Sequence, residues 1–289
     1  MSEPTFYITS DLHYGANKRG DLATARLAQH ALEHPADALL IGGDIGEGVE
    51  NIARCLALFQ GFEGLKLAVP GNHDVWTKDE DHAPHDASWT LHEEVLPQVF
   101  AQHGFHPLHL SPARLGGLTF IGSMGWYDYS FRDDIGVDLP HYQSKTPPWS
   151  LWPIWNDARY ARFPLDDPAH VELLHERLRA QLDHLDPAAQ VVALVHHVVT
   201  KELLVHPRWM VPKEWRYANA FLGAERLGEL LTGDPRVSQV FCGHIHRAKT
   251  VHRGPCALTT VGGDYKQKQL LRATPAKLLE ALLFDPTGV

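Results

Sequence analysis

Short apolar runs that alternate with amphipathic stretches over the first 70 residues constrain this chain more than any other feature. Residues 4–9 (PTFYIT), 37–41 (DALLI) and 65–69 (LKLAV) have the length and side chains of buried strands. Residues 21–34 (DLATARLAQHALEH) and 49–60 space their apolar positions for helices. The resulting β-α-β-α-β order implies a mainly parallel sheet with right-handed crossovers. Further on come a helix at 88–102, strands at 105–110 and 118–123, and a helix at 168–184. A strand at 190–195, a helix at 219–232 and a strand at 237–242 follow, and the remainder reads as short antiparallel strands ending at LLEALLF.

Two stretches leave this pattern. Residues 200–217 form a loop rich in Trp and Pro, and residues 125–167 carry Trp126, Tyr127, Tyr129, Phe131, Tyr142, Trp149, Trp152, Trp155, Tyr160 and Phe163 without helical or strand periodicity. The second reads as an irregular insertion. Its aromatics could be anchors that keep an irregular segment ordered, contacts to substrate, or a partner-binding surface. There is no internal repeat, low-complexity tract or linker, so 1–289 reads as one α/β domain with 125–167 as a cap or substrate loop. A hydrophobic content of 44% supports a sizeable core and excludes global disorder.

Five short motifs stand directly after expected strands: Asp11-Leu12-His13, Gly43-Asp44, Gly71-Asn72-His73-Asp74, His196-His197 and Gly243-His244-Ile245-His246. The carboxyl ends of strands form the ligand crevice of an open α/β sheet, so five polar clusters at five strand ends converge. In an extended segment residues i and i+2 point the same way about 6.5 Å apart, which would aim Asp11 with His13, and His244 with His246, into one site. The glycines before Asp44, Asn72 and His244 fit sharp turns. Donors of imidazole, carboxylate and one amide oxygen, without thiolate, suit Mn²⁺, Fe, Zn²⁺, Co²⁺ or Ni²⁺ better than Ca²⁺. The three cysteines, Cys55, Cys242 and Cys256, have no CxxC spacing and fit a reducing cytoplasm.

In this order the motifs D-x-H, G-D, G-N-H-D, H and G-H-x-H resemble those of the calcineurin-like metallophosphoesterases, over about residues 4–265 with 125–167 outside the resemblance. The resemblance implies a four-layer αββα sandwich of two packed mixed β-sheets flanked by helices. It implies two divalent or trivalent metal ions, Mn or Fe favoured, sharing a hydroxide as nucleophile. Asp11, His13, Asp44 and His246 would hold one ion; Asp44, Asn72, His196 and His244 would hold the other. His73 would act on the leaving group as catalytic residue, with Asp74 as its acidic partner. Two departures stand out: Glu47 lies one place later than the acid of some members, and Val198 replaces a common proline after His196-His197. Single-histidine members align with His196.

The implied activity is hydrolysis of a small phosphoester. A monoester dianion would call for extra Lys or Arg, and the motifs contain none. Phosphodiesters, cyclic nucleotides among them, are therefore favoured over monoesters and phosphoproteins. Arg132, Arg159, Arg162 and Lys201 are loop candidates for phosphate contact, and the insertion, with Trp126 and Tyr127, is expected to cover the metals and meet substrate. A non-catalytic interaction module is the alternative from another class, although loss of His73 or Asp44 would be expected there. The net charge of −9 argues against duplex nucleic acid as a main partner. No apolar run reaches about 20 residues and the N-terminus lacks a secretory pattern, which implies a cytoplasmic protein without a membrane span. Outside the motifs, His30 and His34 read as a solvated helix face. His82, His85, His103, His106 and His109 read as surface or loop residues, and Gly262-Gly263-Asp264 as a turn.

Overall fold

The computed structural model describes residues 3–77, 83–204 and 211–287. The first alternation is β1 (Phe6–Thr9), α1 (Lys18–Glu33), β2 (Ala38–Gly42), α2 (Val49–Ala57) and β3 (Leu65–Val69). Then come α3 (Ala87–Thr90), a π-helical turn (Leu91–Val95), α4 (Leu96–Gln102), β4 (Phe105–Pro107), β5 (Ala113–Leu115) and β6 (Leu118–Ser123). The insertion holds α5 (Leu139–Gln143) and α6 (Asp157–Tyr160), and α7 (Asp167–Asp183), β7 (Gln190–Val195), α8 (Lys213–Ala218), α9 (Glu225–Gly233) and β8 (Val237–Cys242) follow. Two hairpins close the chain, β9 (Lys249–Arg253) with β10 (Cys256–Thr260) and β11 (Lys268–Thr274) with β12 (Lys277–Phe284).

These strands form two six-stranded mixed sheets, ordered β12-β11-β1-β2-β3-β4 and β5-β6-β7-β8-β10-β9. Strands β1 to β4 run parallel, as do β6, β7, β8 and β10, and the antiparallel partners lie at the edges. Between the sheets lies a dry layer of Phe6, Ile8, Leu40, Leu67, Val69, Phe120, Val192, Leu194 and Phe241. Phe6 meets Phe120 and Phe241 edge to face at 5.4 and 6.2 Å, the geometry that the ring quadrupole favours. Helices cover the outer faces, α1 against β11 and β12, α7 against β6 and α9 against β8. This is the expected αββα sandwich.

Where elements differ from the sequence expectation, local chemistry gives the reason. Helix α1 starts at Lys18 because the Asn17 side chain accepts from the Arg19 and Gly20 amides, satisfying donors that a helix start leaves open. The strand expected over 105–110 stops at Pro107, and β5 was not anticipated. It pairs with β6 across Gly116-Gly117, with Gly116 at φ +60°, a two-glycine hairpin signal. The helix expected over 219–232 breaks at Gly223, where a Cβ would lie 1.7 Å from the Val198 carbonyl. Its first part is a 3₁₀ turn (Asn219–Phe221), and α8 occupies part of the expected 200–217 loop.

Because Phe120 is fully buried between the sheets, Phe120→Ala is expected to cost about 3–5 kcal/mol in urea unfolding. A loss below about 1 kcal/mol, the range of surface substitutions, would contradict this account of the inter-sheet layer.

Candidate metal centre

All five motifs emerge at the carboxyl ends of parallel strands: Asp11 after β1, Asp44 after β2, Asn72 after β3, His196 after β7 and His244 after β8. The expected extended i, i+2 geometry is not how the pairs are aimed. Asp11, His13, Asp44, His244 and His246 all have left-handed backbone, φ 57°, 42°, 50°, 71° and 55°. Asp and His tolerate this region better than most residues, yet it costs about 1–3 kcal/mol per residue. Cross-loop bonds hold it in place: the Asp11 and His13 amides donate to the Gly43 and Asp44 carbonyls at 3.0 and 2.8 Å. The His244 amide donates to the Asp11 carboxylate at 2.9 Å.

Beside a grouping of His13, Asp44 and His73 within 4.8 Å, the donor atoms form two sets. In one, His13 Nε2 lies 3.1 Å from His246 Nε2 and 3.7 Å from Asp44 Oδ2, and His246 Nε2 lies 3.3 Å from Asp11 Oδ1. In the other, His196 Nε2 lies 3.1 Å from Asn72 Oδ1 and 3.4 Å from Asp44 Oδ1, with a His244 ring nitrogen within 4.8 Å of the Asp44 and His196 donors. With metal–ligand bonds near 2.1 Å, neighbouring ligand atoms stand about 3.0–3.4 Å apart, a spacing that the pairs at 3.1, 3.3 and 3.4 Å match and the His13–Asp44 pair exceeds. Asp44 belongs to both sets, one oxygen to each.

The electrostatics point the same way. Among the described residues, the partners of the Asp11 and Asp44 carboxylates are imidazoles and backbone amides. Burial, together with the charges of Asp11 and Asp74, pushes Asp44 well above the usual carboxylate range. Burial, then neighbouring His196, holds His73 and His244 down at about 3, so both rings are neutral at pH 7. Neutral nitrogens around carboxylates short of positive charge are a donor set that a cation completes. Metal ions are therefore the group that these residues fit.

His196 directs Nδ1 at the Gly42 carbonyl, 2.8 Å away, which leaves the Nε2 lone pair for the crevice. His197 lies behind it, its Nδ1 3.2 Å from the Met124 carbonyl and its ring against Trp126 and His244. His73 stacks on Trp76 at 3.6 Å and places Nε2 4.0 Å from Asp44. Asp74 does something other than pair with the His73 ring. Its carboxylate accepts from the Ile45, Gly46 and Gly71 amides at 2.8, 3.1 and 2.8 Å, tying the Asp44 loop to the Asn72 loop.

The insertion reaches the crevice, but not through the expected aromatics. Trp126 and Tyr127 are 1% and 0% exposed and stack on each other, walling a cavity of about 340 Å³ beside Lys145, Asp157 and Asp167 and not facing the His and Asp cluster. The residues that arrive are Asp157, bonded to the Asn72 amide at 3.0 Å, and Trp155, whose ring centre lies 6.0 Å from that of His244. Of the loop cations, Lys201 is tied to Asp133 and to the Arg132 carbonyl. Sequence motifs also gave no signal for Tyr265, stacked on His13 at 4.4 Å, or for Lys268. The Lys268 ammonium is buried against the Asp11 carbonyl at 2.9 Å, and burial lowers it to about 8. His82 lies outside the described residues, and His109 is buried against the His92 carbonyl, not on the surface. Asp264 closes the expected turn by accepting from the Lys266 and Gln267 amides.

The sequence profile of the calcineurin-like phosphoesterase family matches residues 4–248. In an alignment of 299 positions the chain is 25% identical to the acyl-carrier-protein phosphodiesterase PptH of Mycobacterium tuberculosis, covering 99% of this chain and 85% of that protein. The crystal structure of the M. tuberculosis phosphopantetheinyl hydrolase PptH superposes with a TM-score of 0.65 at 20% identity, covering 91% of this chain and 90% of that one. A Thermus thermophilus protein superposes with a TM-score of 0.58 at 12% identity, covering 99% and 100%. Structural likeness at such identities establishes the fold.

Because burial and the neighbouring carboxylates raise Asp44, a proton competes with a cation for its carboxylate. Mn²⁺ affinity should therefore rise with pH, with protons released to the buffer. Calorimetric titration in buffers of different ionisation enthalpy reads this directly. Binding with no proton release, or affinity that falls with pH, would contradict the electrostatic reading.

Proposed function

The chain belongs to the calcineurin-like phosphoesterase family and is a hydrolase of phosphoester bonds, and from there we propose that it cleaves phosphodiesters at a two-cation centre. Asp11, His13, Asp44 and His246 would hold one ion; Asp44, Asn72, His196 and His244 would hold the other. The observation that carries this reading is Asp44, whose two oxygens each face a separate donor set. When bound, such ions offset charge on phosphoryl oxygens and lower the pKa of water toward about 7.

The protein's own residues supply the rest. His73 is partly open to the crevice and held neutral by burial, so at pH 7 it can offer an N–H hydrogen bond to the departing oxygen but carries almost no spare proton. Asp74 keeps the two ligand loops in register. The diester preference is supported by donor sets made of His, Asp and Asn side chains alone, since a monoester dianion would call for more positive charge than a diester. It is also supported by the M. tuberculosis relative, named an acyl-carrier-protein phosphodiesterase. A diester carried on a protein is thus the finer reading. Cysteines that are all unpaired and buried support a reducing cytoplasm, and among the described residues no helix is long and apolar enough to cross a membrane.

The test is a comparison of bis(p-nitrophenyl) phosphate with p-nitrophenyl phosphate on Mn²⁺-loaded protein, with a phosphopantetheinylated carrier protein followed by its mass. The diester should have the higher kcat/KM, and Asp44→Asn should reduce turnover to background; a faster monoester would reverse the substrate assignment. His73→Ala should slow an alkyl diester by about 10²-fold and the nitrophenyl diester less, because only an alkoxide needs the hydrogen bond to leave. Equal losses would place the His73 contact on a nonbridging oxygen instead.

A further inference from the structure

Asp157 lies in the insertion, in none of the five motifs, and only 2% of it is exposed. Its carboxylate accepts four hydrogen bonds. Asn72 Nδ2 and Trp76 Nε1 donate to Oδ1 at 3.0 and 2.7 Å, and the Tyr127 hydroxyl and Trp155 Nε1 donate to Oδ2 at 3.1 and 2.7 Å. A primary amide has one oxygen and one NH₂, and a carboxylate accepts only, so the bond to Asp157 decides which way the Asn72 amide faces. With its NH₂ committed, Asn72 must present Oδ1 to the crevice, where it stands 3.1 Å from His196 Nε2. The same Asp157 oxygen fixes the indole on which His73 stacks.

We propose that Asp157 is a positioning residue: it orients the Asn72 amide oxygen toward the cation position shared with Asp44, His196 and His244, and it seats Trp76 against His73. The insertion then completes the site instead of merely covering it. The inference rests on the two-cation reading above. A purely structural role for Asp157, satisfying buried Trp and Tyr donors, would lower stability without singling out one ion.

Metal-free protein titrated with Mn²⁺, followed by calorimetry and by electron paramagnetic resonance, separates these possibilities. The wild type should take up two ions. Asp157→Asn should weaken one of them by about 10–100-fold and leave the other unchanged, the usual effect of losing an outer-shell partner. Asn72→Ala should weaken the same ion, and adding Asp157→Asn to it should have no further effect on affinity. Unchanged binding of both ions in Asp157→Asn, or equal weakening of both in step with a lower Tm, overturns the proposal while the two-cation reading stands. A wild type that takes up fewer than two ions overturns that reading and this inference together. Should Asp157→Asn fail to fold, the Zn²⁺-loaded wild type still decides the matter. The Asn72 side-chain NH₂ should exchange slowly with solvent in its nuclear magnetic resonance spectrum, and exchange at the rate of an exposed amide overturns the proposal.

Discussion

Asp11, Asp44, Asp74 and Asp157 are almost wholly withdrawn from water, and the charges of the other three all act on Asp44. Burying one unpaired carboxylate costs several kcal/mol, and four close together repel one another as well, so the crevice exists only to the extent that each is compensated. Three of them are. Asp74 takes three backbone amides, Asp11 takes the His244 amide and the His246 ring, and Asp157 takes four side-chain donors. Asp44 has the His73 amide and otherwise imidazole neighbours that burial keeps neutral or nearly so. A single amide hydrogen bond answers its charge, and it stands between the two donor sets.

The fold sets up this imbalance. Parallel strands from both sheets end at the crevice, and their last hydrogen bonds pass into loops that cross-bond to one another. The left-handed residues that carry the ligands are held by those loop bonds, so the strain is offset by the same contacts that define the site. Close approach leaves no room for change: a Cβ on Gly71 would fall 2.2 Å from Asp44 Oδ1, and one on Gly43 would fall 2.7 Å from His196 Nδ1. Glycine at those places is a requirement of the Asp44 and His196 side chains and not of the turns alone.

Most of the scaffold was legible because strand and helix periodicities differ and the βαβ order allows few topologies. The cluster was legible because its Asp, His and Asn residues stand in motifs at strand ends, which the sheet brings together. The same reasoning could not foresee how they are aimed, since i, i+2 spacing looks alike in extended and left-handed backbone. It could not find Asp157, because a carboxylate that meets Asn72 across 85 positions leaves no local pattern. Trp126 and Tyr127 misled for a related reason: aromatic residues have the same composition signal whether they line a crevice or fill a core. Here they wall a cavity of about 340 Å³ together with Tyr129 and the Lys145–Asp167 pair.

The central claim is that one carboxylate is shared by two cations. Anomalous diffraction from crystals of the protein grown with Mn²⁺ tests it most directly. The account predicts two peaks about 3.5–4 Å apart, one beside Asp11, His13 and His246, the other beside Asn72, His196 and His244, with Asp44 between them. A single peak, or two peaks of which only one touches Asp44, would contradict it.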